Sequence, residues 1–162
     1  MTQSILDGKK ILAIDDEPDV LAVLEEEIMY KCPNSKFEKA TNYEDAKKLL
    51  ESQNYDVVVL DIMGVRGFDL LEIAVKRDLK VAMLTAHALT PEALKRSYDM
   101  KASAYLPKNK LGEVVPFLED VLKYDYQSGW KRLFEKLHGF FSQAFESDWE
   151  KKTGMNWREW GK

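Results

Sequence analysis

The chain has 162 residues, of which 45% are hydrophobic and 32% are charged, a composition that suits a folded domain with an appendage. The formal net charge of −4 argues against a generally basic surface, so we expect no direct nucleic-acid partner. The single cysteine, Cys32, excludes an intramolecular disulfide. No apolar run approaches the roughly 18 residues of a membrane span and no signal-peptide pattern is found, so we expect a cytoplasmic protein without a membrane partner.

Five strand–helix pairs follow one another along the first part of the chain. The runs that predict strands are 9–15, 35–41, 55–62, 80–86 and 102–107. The runs that predict helices are 18–31, 42–53, 67–78, 91–101 and 111–124. Thr41 with Glu44 predicts a capping box for the second helix, and Thr90 with Pro91 predicts the start of the fourth. This alternation predicts an α/β fold with a five-stranded parallel sheet that is doubly wound, with helices on both faces.

Polar residues stand at the carboxyl ends of four predicted strands. Asp15 and Asp16 end the first strand, and Asp61 ends the third. Because these ends lie side by side in a parallel sheet, we expect three carboxylates to converge. Their repulsion requires a cation, and Mg²⁺ is the hard divalent ion that oxygen ligands prefer. A carboxylate beside Mg²⁺ can attack a phosphoryl group while Lys108 and the Thr85 hydroxyl bind its oxygens.

An alternative is that each acid only flanks or caps a helix. Glu17 and Asp19 fit this interpretation, because negative charge interacts favourably with the first turn of a helix. Asp61 taken alone would fit it as well. The complete set of acids, hydroxyl and lysine on these strand ends favours a phosphoryl site instead.

Four short motifs resemble those of the receiver domains of two-component response regulators. They are DDE at 15–17, VVVLDIM at 57–63, MLTAHA at 83–88 and YLPK at 105–108. The resemblance implies a chemotaxis-regulator-like, flavodoxin-like (βα)5 fold with the strand order 2-1-3-4-5. It divides the chain into a receiver domain, 8–124, and an aromatic-rich helical extension, 125–162, which we call the extension.

The resemblance also implies a role for each site residue. Asp61 is similar to the family's phosphoacceptor. The Mg²⁺ ligands that it implies are Asp15, Asp16, Asp61 and the backbone carbonyl of Met63. Thr85 and Lys108 resemble the pair that senses the phosphoryl group. Tyr105 resembles the switch aromatic that moves inward when Thr85 is drawn to the phosphoryl group, and a static, partly buried tyrosine is the alternative.

Two loops depart from the family's pattern. Val65 stands where relatives usually have proline, in a shorter loop after Asp61, and Lys108 lacks the proline that usually follows. Met63 lies two residues beyond Asp61 and cannot orient water, which predicts slow-to-moderate hydrolysis of the phosphoryl group. His87 is interpreted as a solvent-facing loop histidine.

The extension holds all four tryptophans and nine of the 18 aromatic residues. Its apolar residues fall at helical spacing, at Trp130, Leu133, Phe134, Leu137, Phe141, Ala144 and Phe145. NWREW, 156–160, predicts a second short helix with Asn156 and Glu159 at capping-box spacing. Such a stripe must be covered: by the receiver domain itself, by a second copy in a homodimer, by another protein or, least favoured, by a membrane.

The sequence therefore predicts a phosphorylation-dependent response regulator that accepts a phosphoryl group and is a signalling domain, not an enzyme. By resemblance, a histidine kinase or phosphotransfer protein phosphorylates Asp61 with Mg²⁺, and the output is contact with a downstream protein. The alternative is a phosphorylation-independent module with the receiver fold, which docks or dimerises through the extension. A Mg²⁺-dependent phosphatase would need a general acid where Met63 stands.

Overall fold

The structure, a computed structural model, describes residues 3–86, 90–145 and 148–160. The strands are β1 Lys10–Ile14, β2 Lys36–Ala40, β3 Val57–Asp61, β4 Val81–Thr85 and β5 Ala104–Pro107. The helices that alternate with them are α1 Pro18–Lys31, α2 Tyr43–Ser52, α3 Gly67–Lys76, α4 Pro91–Asp99 and α5 Val114–Lys123. A 3₁₀ turn, Lys108–Glu113, joins β5 to α5. The extension forms α6 Tyr126–Ala144, α7 Trp149–Thr153 and a 3₁₀ turn, Trp157–Glu159.

The five strands form one parallel sheet in the order β2-β1-β3-β4-β5. The predicted doubly wound, flavodoxin-like fold is thereby confirmed. Every residue of β3 and β4 is buried, which is why these strands are nearly continuous apolar runs. The strand order reverses between β1 and β3, and ligands of such sheets bind near this point, beyond the carboxyl ends of the strands.

The register of the sheet sets the height of each strand-end residue. Asp15 is level with Asp61, because the residues that precede them are paired partners in β1 and β3. Thr85 follows the β4 residue that pairs with Asp61. Lys108 in turn follows Pro107, the partner of Thr85. The four side chains therefore come from neighbouring positions on one edge of the sheet.

Helix α2 starts with a different cap from the one predicted. Asn42 is the N-cap, and its Oδ1 accepts a hydrogen bond from the amide of Asp45 at 2.9 Å. The predicted box of Thr41 and Glu44 is therefore wrong, because the adjacent asparagine caps a helix at least as well as threonine. The predicted cap of α4 is confirmed, since Thr90 Oγ1 accepts from an amide of the first turn at 3.0 Å.

A residue with left-handed backbone geometry follows the end of helix α4. Lys101 has φ 72°, and the next amide, that of Ala102, donates to the carbonyl of Ser97 at 2.9 Å. This is the helix ending at which glycine is preferred, because a Cβ makes the left-handed conformation unfavourable. Lys101 therefore strains the end of α4.

The extension packs on the same chain, against the face formed by α4, β5 and α5. The indole N–H of Trp130 donates to the carbonyl of Ala102 at 2.8 Å, next to β5. The ring of Trp160 stacks on Tyr98 of α4 with centroids 4.5 Å apart. Of the four alternatives for the apolar stripe, the structure shows the first.

The helices of the extension differ in detail from the prediction. Helix α6 starts before Ser128, because Asp125 accepts a hydrogen bond from the Ser128 amide at 2.9 Å and caps it. Helix α7 was not predicted, since five residues carry little periodicity. Asn156 makes no side-chain cap hydrogen bond, so the capping box predicted within 156–160 is wrong. In the described part of the chain, no helix combines the length and apolar character needed to cross a membrane.

Candidate functional site

A pocket of about 180 Å³ opens at the carboxyl edge of the sheet. Its lining residues are Asp16, Glu17, Asp61, Ile62, Met63, Gly64, Thr85, Ala86 and Lys108. The structure therefore brings most of the predicted site residues into one cavity. Asp15 is buried 2.9 Å from Lys108 Nζ without lining the pocket, and Tyr105 is buried within β5.

Three carboxylates converge at this pocket. Asp15, Asp16 and Asp61 each place one oxygen within 4.8 Å of the others. Asp15 and Asp61 are buried and Asp16 is exposed. Asp15 Oδ2 makes no hydrogen bond of good geometry within the described residues, although Lys108 Nζ lies 2.9 Å away. Buried carboxylate oxygens in this arrangement fit a hard divalent cation such as Mg²⁺, which takes oxygen ligands.

Lys108 provides the positive charge of the pocket. Its Nζ lies 2.9 Å from Asp15 Oδ2, 2.9 Å from Glu17 Oε1 and 3.4 Å from Asp61 Oδ1. Burial lowers the pKa of Lys108, but its close contacts with the Asp15 and Glu17 carboxylates and the charge of Asp61 outweigh this effect and raise the pKa. The amine is therefore held in its charged form beside Asp61.

The two buried acids are shifted towards their protonated forms. Burial raises the pKa of Asp61 to about 7, the charge of Asp15 adds to the rise, and Lys108 opposes it. Burial also raises the pKa of Asp15. A cation in the pocket would lower both pKa values, because it stabilises the charged carboxylates. The protein alone thus leaves the pocket short of positive charge.

Glu17 is a pocket residue that sequence reasoning assigned elsewhere. It occupies the N-cap position of α1 without a side-chain cap hydrogen bond. Its carboxylate instead accepts a hydrogen bond from Lys108, and its amide donates to Asp15 Oδ1 at 2.9 Å. The position of Glu17 next to Asp15 and Asp16 in the DDE motif was the only hint in the sequence that it lies at the pocket. Its partner, Lys108, is distant in the chain, so the sequence pattern could not reveal this pairing.

The loop between β3 and α3 folds tightly around the acids. Gly64 has φ +81°, and a Cβ there would lie 2.5 Å from the carboxyl atoms of Asp16. A Cβ on Gly67 would lie 2.2 Å from the carbonyl oxygen of Asp61. Met63 is 64% exposed at the rim. The two glycines let the short loop close beside the pocket without displacing its acids.

Thr85 and Tyr105 connect the pocket to the extension. Both side chains are buried. They lie on the same face of the sheet in adjacent strands, because Tyr105 pairs with Met83 and Thr85 with Pro107. Burial raises the pKa of Tyr105, and the Thr85 side chain opposes this rise. The Tyr105 hydroxyl makes no hydrogen bond of ordinary geometry with the described residues. The Tyr105 ring also packs against Phe141 of α6, with centroids 6.0 Å apart. His87 lies outside the described residues.

Comparisons with known proteins agree with this geometry. Residues 11–115 match the family model of the response regulator receiver domain. The two-component response regulator ARR18 of Arabidopsis thaliana is 36% identical over 84 residues, which are 50% of this chain and 13% of that protein. The chain therefore spans a small part of the length of this curated relative.

Solved structures show the same fold. A response regulator from Thermotoga maritima superposes with a TM-score of 0.63 at 18% identity, over 72% of this chain and 98% of that one. TrrA from Thermotoga maritima, solved in complex with Mg²⁺-BeF, is 34% identical with a TM-score of 0.60, over 70% and 99% of the two chains. With the fold, the acidic pocket and the family match in agreement, the chain belongs to the response regulator receiver family and carries a C-terminal helical extension.

Proposed function

We propose that the protein is a phosphorylation-dependent response regulator in which Asp61 accepts a phosphoryl group. The donor is a histidine kinase or a phosphotransfer protein, and the reaction takes place with Mg²⁺. The observation that carries this proposal is the position of Lys108 Nζ, 3.4 Å from Asp61 Oδ1, within a cluster of three carboxylates. A neutral or purely structural strand end would not need such a cluster.

The transfer uses the charges of the pocket. A carboxylate oxygen of Asp61 forms the new bond to phosphorus while the bond from phosphorus to the donor nitrogen breaks, and the nitrogen keeps the electron pair. Lys108 neutralises one phosphoryl oxygen, and the Thr85 hydroxyl donates to another. Mg²⁺, when bound, neutralises further charge on the transferred group. Its proposed ligands are Asp15, Asp16, Asp61 and the backbone carbonyl of Met63.

Thr85 and Tyr105 form the proposed switch. A phosphoryl group on Asp61 draws the Thr85 hydroxyl towards it and thereby favours the inward position of the Tyr105 ring. Phosphorylation then shifts a two-state equilibrium of the α4–β5–α5 face. The burial of both side chains and their proximity support this role. The output is contact with a downstream protein.

The proposed boundary between the receiver domain, 8–124, and the extension, 125–162, is supported by the end of α5 at Lys123 and the cap of α6 at Asp125. The protein is proposed to act in the cytoplasm as a signalling domain that turns over no separate substrate.

Homodimerisation through the extension is not needed to cover its apolar stripe, because that stripe packs on the same chain.

Intact-mass spectrometry after incubation with acetyl phosphate and Mg²⁺ tests the proposal. Wild-type protein should gain the mass of one phosphoryl group, and the gain should disappear with a chelator or in Asp61→Asn. Asp69→Asn is the matched control, because this exposed acid of α3 pairs with Arg66 away from the pocket. It should gain the group as the wild type does. If neither acetyl phosphate nor a panel of purified histidine kinases phosphorylates the wild type, the phosphorylation-independent module is favoured.

A further inference from the structure

We propose that the extension is an intramolecular effector of the phosphorylation site. By packing Phe141 against Tyr105, it holds the switch tyrosine buried and so strengthens phosphoryl binding at Asp61. This inference rests on the proposed function, because it assigns a regulator to the same pocket.

The contact between the extension and the switch is direct. Tyr105 lies in β5 with no exposed surface. It pairs with Met83 of β4, and Thr85, two residues further along β4 on the same face of the sheet, lines the pocket. The Tyr105 ring contacts Phe141 with centroids 6.0 Å apart. A single side chain therefore lies next to both the phosphorylation site and the extension.

Phe141 cannot move independently of the rest of the extension. Its ring lies 5.8 Å from that of Phe134, 5.6 Å from that of Phe145, and 5.9 Å from that of Trp149. Close-packed aromatic clusters resist partial rearrangement, because moving one ring leaves a void among the others. A displacement of Tyr105 towards α6 would therefore disturb the whole cluster.

The extension is anchored to the receiver on both sides of this contact. Besides the Trp130 and Trp160 contacts described above, the Tyr126 hydroxyl donates to the carbonyl of Tyr98 on α4. On α5, Asp120 binds Lys136 Nζ at 2.7 Å. These anchors position α6 over β5, so Phe141 remains against Tyr105 while the extension is docked.

The sign of the coupling between docking of the extension and phosphorylation follows from the packing around Tyr105. The Tyr105 ring has no exposed surface and packs against Phe141, so an outward turn of the ring requires the docked extension to give way. Phosphorylation is proposed to favour the buried position of the ring. The two events therefore reinforce each other, and linkage requires the effect to be reciprocal. A docked extension strengthens phosphoryl binding, and a phosphoryl group strengthens docking.

The first test measures affinity for beryllofluoride, a phosphoryl mimic, by calorimetry of the full chain in Mg²⁺. Phe141→Ala should weaken binding by about fivefold, the lower end of typical allosteric couplings. Gln143→Ala is the matched control, because Gln143 lies in the same turn region of α6 as Phe141 but its side chain is exposed. It should leave the affinity near that of the wild type. Phe141→Leu keeps most of the apolar volume and should weaken binding in the same direction by less.

The second test uses the wild-type chain and reads the reciprocal effect. All four tryptophans lie in the extension, so quenching of tryptophan fluorescence by acrylamide reports on its docking. Beryllofluoride with Mg²⁺ should reduce quenching in the wild type. It should have no effect in Asp61→Asn.

The outcomes separate this inference from the proposed function. If the wild type gains no phosphoryl group and binds no beryllofluoride, the proposed function fails and the inference fails with it. If the wild type binds beryllofluoride but Phe141→Ala binds it equally well or more tightly, the inference alone is overturned. Unchanged or increased quenching in the beryllofluoride-bound wild type would overturn it as well.

Discussion

The pocket and the extension are built by opposite physical rules. The pocket crowds carboxylates around one lysine, and burial raises the pKa of Asp61 to about 7. The extension packs aromatic rings against each other, and the indole N–H of Trp130 has a hydrogen-bond partner. Crowded like charges cost stability but prepare a site for a cation and a phosphoryl group, whereas packed rings contribute stability. Removing an aromatic ring from the extension should therefore lower the free energy of unfolding, whereas removing a charge from the pocket should raise it.

The largest effect on stability is expected at Trp130. Its side chain has no exposed surface and its indole donates to Ala102, so Trp130→Ala should lower the free energy of unfolding by about 3–5 kcal/mol. Urea unfolding followed by far-UV circular dichroism would measure it. Trp160→Ala is the control, because Trp160 is only partly buried, and it should cost less. Equal losses for the two variants would mean that Trp130 is not docked as described.

The opposite sign is expected at Asp61. Between about pH 4 and about pH 7 the folded carboxyl keeps a proton that the unfolded chain has released, so this group lowers stability as the pH rises through that window. Asp61→Asn removes the effect. In Mg²⁺-free buffer it should raise the free energy of unfolding by about 1–3 kcal/mol above pH 7, and by less near pH 5.

Urea unfolding at both pH values checks this sign, with the exposed acid Asp69 as the site of the control substitution Asp69→Asn. Mg²⁺ should narrow the difference between wild type and Asp61→Asn, because it binds the wild-type pocket. A less stable Asp61→Asn in Mg²⁺-free buffer above pH 7 would contradict the view that charge crowding costs stability here.

A smaller effect is expected at Gly64, which sharpens the account of the pocket. A Cβ there would press on the Asp16 carboxyl at 2.5 Å, so Gly64→Ala should weaken Mg²⁺ binding about tenfold, as for changes that disturb the orientation of a metal ligand. Calorimetric titration would measure the affinity. Gly112→Ala is the matched control, because a Cβ at Gly112 would meet nothing within 4 Å. Equal affinities of the two variants would argue that Asp16 takes no part in the metal site.

The smallest effect is expected where α4 meets the extension. Lys101 has left-handed geometry, so Lys101→Gly should raise the free energy of unfolding by about 0.5 kcal/mol, after the loss of backbone entropy by glycine is subtracted. Its Nζ also lies 4.9 Å from the Tyr126 ring centroid, which limits the gain. Lys95→Gly, within α4, should instead cost about 1 kcal/mol. Thermal unfolding would measure both variants, and the account predicts a higher melting temperature for Lys101→Gly and a lower one for Lys95→Gly.

Much of the pocket could be predicted from sequence, because parallel topology alone determines where strand ends meet. Asp61, Thr85 and Lys108 follow apolar runs, and the sheet brings them into one cavity. The pairing of Glu17 with Lys108 could not be predicted, since it depends on the path of the loops at both ends. Caps were predictable only to within a residue, because Thr41 and Asn42 are both good capping residues.

The packing of the extension lay beyond sequence reasoning for a different reason. An apolar stripe shows that a helix face is covered, but it carries no information about the covering surface. Phe141 contacts Tyr105 of β5, and Trp130 contacts Ala102, which lies just before β5. These contacts depend on the shape of the α4–β5–α5 face, which exists only after the sheet has formed.

Hydrogen–deuterium exchange of the full chain in Mg²⁺, with and without acetyl phosphate, tests the central claim most directly. Intact mass in the same samples reports phosphorylation of Asp61. The account predicts that amides of α6 are already protected in the unmodified protein and exchange more slowly once Asp61 is phosphorylated. Exchange of α6 at the rate of an unfolded chain, or at an unchanged rate in fully phosphorylated protein, would contradict it.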